Sequence, residues 1–443
     1  METPETNVKT PEVSHVVEHL FRHEAGKMVA ILTGIFGLDH LTLAEDVVQE
    51  ALARALQTWP FYGVPENPSA WIMRTSRNLA LDVVRREKVF REKEPEIIRL
   101  IESGPPDAEF SGQEITDDRL RMMFVCCHPA IPPEVQVALA LKTLGGFSPK
   151  EIASAFLTSE AAIAKRLTRA KQKIREAKIP FEIPAGPELA QRMDGVLQSL
   201  YLLFNEGYKA SSGDKLIRED ICSEAIRLAG LLARHPAGNQ PKTHALLALM
   251  LLNAARIPAR LDSEGNLLRL QEQDRTQWNQ PMIARGMLHF AKSAAGNEIT
   301  EYHLQAGIAV CHCTAKDYAS TDWQQILALY DRLVEFDDSP VVALNRAVAL
   351  AEVLGPQAGI EAVQAIKDLQ SLESYYLLHA VLGEFELRLK RAPAAAKHFQ
   401  KALELAEIKS EQAFLTKRLQ ACEQNREKSS HNVLNQPARS SYP

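Results

Sequence analysis

The sequence is short of cysteine, of long apolar runs, of any excess of one charge sign and of strand signals, and each shortage removes a class of answer. Six cysteines in 443 residues, two of them adjacent at Cys126-Cys127, are too few for a disulfide framework and point to a reducing compartment, the cytoplasm. The longest apolar run, Ala245 to Leu252, is closed by Asn253 and Arg256. It is well under half of the roughly 20 residues that span a bilayer, so no membrane segment is expected. Residues 1–10 carry Glu2 and Glu5 and no apolar stretch, so they are not read as a signal peptide. Lys and Arg number 51 against 56 Asp and Glu, a net charge of −5, which excludes a globally basic nucleic-acid coat but leaves room for a local basic face.

Catalytic signatures are lacking too. There is no phosphate-binding Walker loop, no dinucleotide fingerprint and no nucleophile elbow, so neither an enzyme nor a cofactor is expected. His15, His19 and His23 stand four apart but without the glutamate of a metalloprotease helix, and they read as surface histidines. Cys126-Cys127-His128 and Cys311-His312-Cys313 have no partner pairs at zinc-site spacing; they read as buried thiols, and no metal site is expected.

What is present is a globular composition, 46% hydrophobic and 24% charged, with apolar residues recurring at spacings of three and four almost throughout. The fold class is therefore all-α, and the length suggests about three domains. Two proline- and glycine-bearing stretches interrupt the helical texture. They divide the chain into a block at 12–92, a linker at 93–116, a block at 117–179, a proline-rich linker at 180–189, a large block at 190–423 and a polar, disordered tail at 424–443.

In the first block, Thr42-Leu43-Ala44-Glu45 has the form of a capping box and predicts a helix start. Val47, Val48, Ala51, Leu52, Ala55 and Leu56 then form an apolar stripe that leaves Glu45, Asp46, Gln49 and Glu50 outward. Asn67-Pro68 opens a second helix. On it Ile72, Ser76, Leu79 and Val83 fall on one side, and Arg74, Arg77, Asn78 and Arg85 on the other. From Trp71 to Lys93 seven basic residues face three acidic ones. Cations of this kind suit phosphates. Trp59, Phe61, Tyr62 and Trp71 nearby could stack on unpaired bases, although Trp59 and Trp71 read more readily as core.

In the second block, Ser148-Pro149-Lys150-Glu151 combines an N-cap, a proline at the first helical position and a glutamate three residues after the cap. Thr158-Ser159 then breaks the chain, with Ser159 the N-cap of a helix reaching about Lys178. Helix, tight turn, helix is a DNA-reading unit. Ile163, Leu167, Ala170 and Ile174 share one narrow face, and Lys165, Arg166, Arg169, Gln172 and Lys173 occupy the other. Seven basic residues against two acidic ones lie between Glu160 and Lys178. A basic bundle surface has the same pattern. On this helix pair alone, a helix-turn-helix regulator with a repeat-type sensor, acting on duplex DNA without a polymerase, is an alternative reading.

Taken together, the segments 44–50 (AEDVVQE) and 68–82 (PSAWIMRTSRNLALD) resemble region 2 of extracytoplasmic-function sigma factors of the sigma-70 family. Glu151-Ile152-Ala153 through 163–171 (IAKRLTRAK) resembles their region 4. The resemblance spans about residues 12–179. It implies an alternative sigma factor that docks Asp46, Gln49 and Glu50 on the β′ clamp helices of core RNA polymerase and sets region 4 on the β flap. It also implies -10 promoter contacts from Asn67, Trp71, Arg74, Arg77, Asn78, Arg85 and Arg86, and -35 contacts from Ser159, Lys165, Arg166, Arg169 and Lys173. The chain departs from the family at Leu157, where many members have glycine, and at Ala162, where many have threonine.

In the third block, Leu382-Gly383, Ala395, Phe399 and Ala402 match tetratricopeptide spacing, with a weaker unit through Ala347, Gly359, Val363 and Ile366. The segments 118–129 (DRLRMMFVCCHP), 204–208 (FNEGY), 332–334 (RLV) and 345–349 (NRAVA) resemble the sigma-factor subgroup that ends in such helices. A protein or small-molecule regulator of that extension is an expected partner. The polar stretches 209–214 and 262–278 read as connections or ligand-facing loops.

Overall fold

The computed structural model describes residues 10–86 and 114–434, apart from Leu157, Ile183, Ala185, 211–215 and Ala237. The expected linker at 93–116 lies almost wholly outside the described residues, as does Leu157. The described residues form helices and no strand; one isolated bridge joins Leu261 to Leu267. No described helix is long and apolar enough to cross a membrane. The chain divides into two compact units, the first comprising Met1–Gly207 and Asp220–Gly238, the second Tyr208–Glu219 and Asn239–Pro443.

The first unit contains α1 (Thr10–His23), α2 (Ala25–Phe36), α3 (Leu41–Tyr62), α4 (Pro68–Arg86), α5 (Glu114–Cys126), α6 (Pro133–Gly145), α7 (Pro149–Ala155), α8 (Glu160–Ala177), α9 (Pro187–Tyr208) and most of α10 (Glu219–Arg234). The α2 segment is apolar nearly all round and is buried along its length, as a central helix requires. Gly26 lets it approach α6 closely: a Cβ there would lie 2.4 Å from the carbonyl oxygen of Leu144. The units do not divide at the proline-rich 180–189, because α9 and α10 belong with the helices before it.

The second unit contains α11 (Pro241–Ala254), α12 (Gln280–Ser293), α13 (Glu301–Thr314), α14 (Trp323–Phe336), α15 (Pro340–Leu354), α16 (Pro356–Gln364), α17 (Tyr376–Arg388), α18 (Ala392–Leu405) and α19 (Lys409–Leu434). Most successive helices pack against one another, and α11 packs on both α12 and α13. The small residues singled out by spacing sit at these contacts. A Cβ on Gly383 would meet the Phe399 ring at 2.8 Å, and one on Gly359 would meet Ala351 at 2.7 Å.

Two expectations need correction. Residues 424–434 are not a disordered tail; α19 continues through them to Leu434, since no proline or glycine interrupts the segment before Pro437. Residues 435–443 lie outside the described residues. The helix predicted to start from a capping box at Thr42 starts at Leu41 instead. A 3-10 turn, Leu38–His40, feeds directly into it, so Thr42 lies inside the first turn and cannot cap.

Candidate nucleic-acid interface

Along α3, Ala44, Val47, Val48, Ala51, Leu52 and Ala55 are buried, which forces Asp46, Gln49 and Glu50 into solvent. Glu50 accepts a hydrogen bond from Arg54 Nε at 3.0 Å, a surface pair of little energetic weight. Glu45, expected to be outward, is half-buried and forms an ion pair with Lys171 of α8. The stripe fails at its end: Leu56 is exposed, as are Phe61 and Tyr62 at the helix terminus. Trp59, by contrast, is buried, and its ring meets that of half-buried Trp71 edge-on at 5.4 Å.

Asn67 caps α4, its Oδ1 accepting from the Ala70 N–H at 3.0 Å. The buried face of α4 is Ala70, Ile72, Met73, Ser76, Ala80 and Val84. It is rotated slightly from the expected one, since Leu79 and Val83 are only half-buried. Arg74, Asn78, Arg85 and Arg86 are exposed. Arg77 is half-buried, and burial lowers its pKa from the ordinary value. Four exposed polar groups with Arg77 beside them therefore run along one side of α4, and exposed Phe61 and Tyr62 lie at the end of α3, the helix packed against it.

The capping box at Ser148 forms as the sequence indicates. Ser148 N–H donates to Glu151 Oε2 at 2.7 Å, and Glu151 N–H donates to Ser148 Oγ at 3.2 Å. After α7 the Thr158 N–H reaches back to the Ala153 carbonyl at 2.9 Å, closing the turn. Ser159 then caps α8 by accepting from the Ala162 N–H. Ile163, Leu167, Ala170 and Ile174 are buried, leaving Lys165, Arg169 and Lys173 exposed and Arg166 partly so. Arg166, Arg169 and Lys173 line a groove of about 390 Å³ whose other wall is Ala130, Pro132 and Val135. Such a cationic groove suits a phosphate backbone.

Comparison with known proteins matches these two helical segments separately. Residues 20–89 match the Sigma-70 region 2 family and residues 121–174 the Sigma-70, region 4 family. Residues 192–294 match a family of unknown function, DUF6596. An uncharacterized protein of Rhizobium meliloti is 40% identical over 385 residues, covering 86% of this chain and 90% of that protein. The ECF RNA polymerase sigma factor SigE of Mycolicibacterium smegmatis is 28% identical over 160 residues, 36% of this chain and 60% of that protein. The chain belongs to the sigma-70 family, in its extracytoplasmic-function group. No solved structure matches it.

In this sigma factor α5, α6 and α10 are tied together by contacts that no local pattern signals. Arg119 of α5, 3% exposed, forms an ion pair with Glu224 of α10 and donates from Nη2 to the Leu144 carbonyl at 2.9 Å. Glu224 also takes two bonds from Arg227, at 2.7 and 2.8 Å. Burial alone would raise the Glu224 pKa, but the hydrogen bonds from Arg227 and the charge of Arg119 hold it below the ordinary carboxylate value. Lys27 of α2 faces the same cavity of about 230 Å³. Arg119 and Glu224 are separated by 105 positions, so sequence reasoning had no means of pairing them. Cys126 and Cys127 are buried as expected, the Cys127 thiol pushed up to about 12 by burial. Among the described residues there is no group of three or more metal-ligating side chains.

Proposed function

We propose that this sigma factor binds core RNA polymerase and carries it to promoters through three separate exposed faces. Asp46, Gln49 and Glu50 meet the β′ clamp helices, and region 4 meets the β flap. Asn67, Trp71, Arg74, Arg77, Asn78, Arg85 and Arg86 hold the opened -10 strand, with Phe61 and Tyr62 offering stacking surfaces. Ser159, Lys165, Arg166, Arg169 and Lys173 grip the -35 duplex. The chain is a cytoplasmic, non-catalytic subunit in this reading. Its functional blocks are 12–92 and 117–179, joined by 93–116; of the expected extension 190–423, the tetratricopeptide-like helices from α11 onward, which form the second unit, regulate them.

The observation that carries this reading is that one acidic and two basic faces are exposed on helices whose opposite sides are buried, within segments matching regions 2 and 4. Asp46→Arg reverses a charge on a solvent-exposed position and should abolish retention of purified core enzyme in a pull-down while leaving the helical circular dichroism unchanged. Arg166→Ala with Arg169→Ala should weaken promoter-fragment binding and flatten its salt dependence by about two counterions. Full retention of core enzyme by the first variant, or unchanged affinity in the second, would remove the assignment concerned.

A further inference from the structure

Within the first unit, the chain that follows region 4 turns back and touches both matched regions. Phe181, between α8 and α9, lies against α2: a Cβ on Gly34 would stand 3.1 Å from its ring. Gly34 belongs to the region 2 match, 20–89, whereas the next helix meets the region 4 match, 121–174. On α9 a Cβ at Gly195 would meet Gln136 Oε1 of α6 at 2.6 Å. Ser199 Oγ lies 3.7 Å from Cys127 Sγ, and Arg192, almost wholly buried, donates from Nη1 to the Phe124 carbonyl at 3.4 Å. On α10 the Glu224 carboxylate pairs with Arg119 of α5 and is attracted by Lys27 of α2. Regions 2 and 4 also meet directly, through Gly26 against Leu144 and through Glu45 with Lys171, whose side chains are 12% and 23% exposed.

We propose that α9 and α10, with Phe181 before them, are a built-in clasp that holds region 2 against region 4, with Glu224 as its pin and the Glu45–Lys171 pair as its latch. Because α2 is apolar nearly all round, separating the regions uncovers surface that water disfavours, and the clasped state dominates in the free chain. The charged groups give it a release. A partly buried ion pair fixes geometry but is lost entirely when one partner is neutralised. Glu45 adjoins Asp46, so a partner docking on Asp46, Gln49 and Glu50 acts on the helix that carries the latch. If docking opens the latch, opening the latch must strengthen docking by the same factor. On the function proposed above, regions 2 and 4 serve DNA elements that lie apart, so the clasped chain is the resting one. That last consequence rests on the proposed function, whereas the clasp itself does not.

The test compares the full chain with Lys171→Gln and Glu224→Gln, neither of which alters a residue assigned to polymerase or DNA. With no polymerase or DNA present, hydrogen exchange in α2 and α6 should accelerate about tenfold in both variants, while helical circular dichroism is unchanged and α17 and α18 keep their protection. Should Glu224→Gln fail to fold, Lys171→Gln, at the more exposed pair, decides. Glu45→Lys combined with Lys171→Glu, which rebuilds the pair in reverse, should return exchange to the parent rate. In transcription with core enzyme at limiting chain concentration, Lys171→Gln should initiate about tenfold more than the parent, because the competent fraction has risen by that factor. Unchanged exchange, no return with the reversed pair, or faster exchange without a gain in initiation would overturn the proposal. No initiation by parent and variants alike would instead remove the polymerase assignment, leaving the exchange measurement to decide the clasp.

Discussion

Arg119 shows how a single side chain organises the first unit. It is almost wholly buried, burial lowers its pKa, and it is tolerated only because the Glu224 carboxylate and the Leu144 carbonyl receive it. Arg119→Met keeps the volume but leaves Leu144 without that donor and Glu224 with Arg227 alone. Removing one partner of a buried pair costs about 3–5 kcal/mol, and chemical denaturation should show a loss in that range. The histidines of the second unit give a pH prediction. Asn239 Oδ1 lies 2.8 Å from His244 Nε2, and the Nδ1 atoms of His244 and His289 are 2.9 Å apart. Burial, then the charges of His244, Lys292 and Arg285, lower the His289 pKa to about 4. The unfolded chain therefore binds a proton that the folded one refuses between about pH 6.5 and 4, so stability falls as pH drops through that window. Thermal unfolding followed against pH should show this slope, and His289→Phe should flatten it. At this scale the sequence was partly legible. Asp46, Glu50, Arg74 and Lys165 are exposed because their helical neighbours are apolar, which periodicity reveals. Lys171 meets Glu45 across 126 positions, which it cannot.

Among the elements, those with local signals were readable. Asn67-Pro68 and Ser148-Pro149 start helices because cap and proline act within four residues, and the apolar stripe of α8 is buried at all four expected positions. Thr42 failed since a preceding 3-10 turn, set by Gly37 at φ +84°, had already begun the helix. Contacts between elements left fainter marks. Gly26 stands in α2 where the helix nearly touches the last turn of α6, a closeness that only an absent Cβ permits. Gly26→Val should push α2 from α6, where the obstructing atom is backbone and cannot turn aside. The expected result is a loss of about 1–3 kcal/mol together with faster hydrogen exchange in α6, while α17 and α18, in the other unit, stay protected.

For the whole molecule, the compactness of the first unit bears directly on how, under the proposed function, both promoter elements would be reached. Elements centred at -10 and -35 lie about 25 base pairs apart, roughly 85 Å at 3.4 Å per pair. A compact unit of roughly 220 residues has a radius of gyration of about 17 Å, so regions 2 and 4 packed as they are through Gly26, Leu144, Glu45 and Lys171 do not span that distance. On the proposed function, binding both elements would therefore require the two regions to separate, and the near-neutral net charge of −5 makes sense as segregated acidic and basic faces. The central claim is that these faces serve one polymerase. In vitro transcription with purified core enzyme and a library of promoter fragments tests it most directly. Initiation from defined start sites with the intact chain, lost with Asp46→Arg, is the predicted result. Binding of promoter DNA with no specific initiation by the core enzyme would contradict it and favour a regulator that acts on duplex DNA alone.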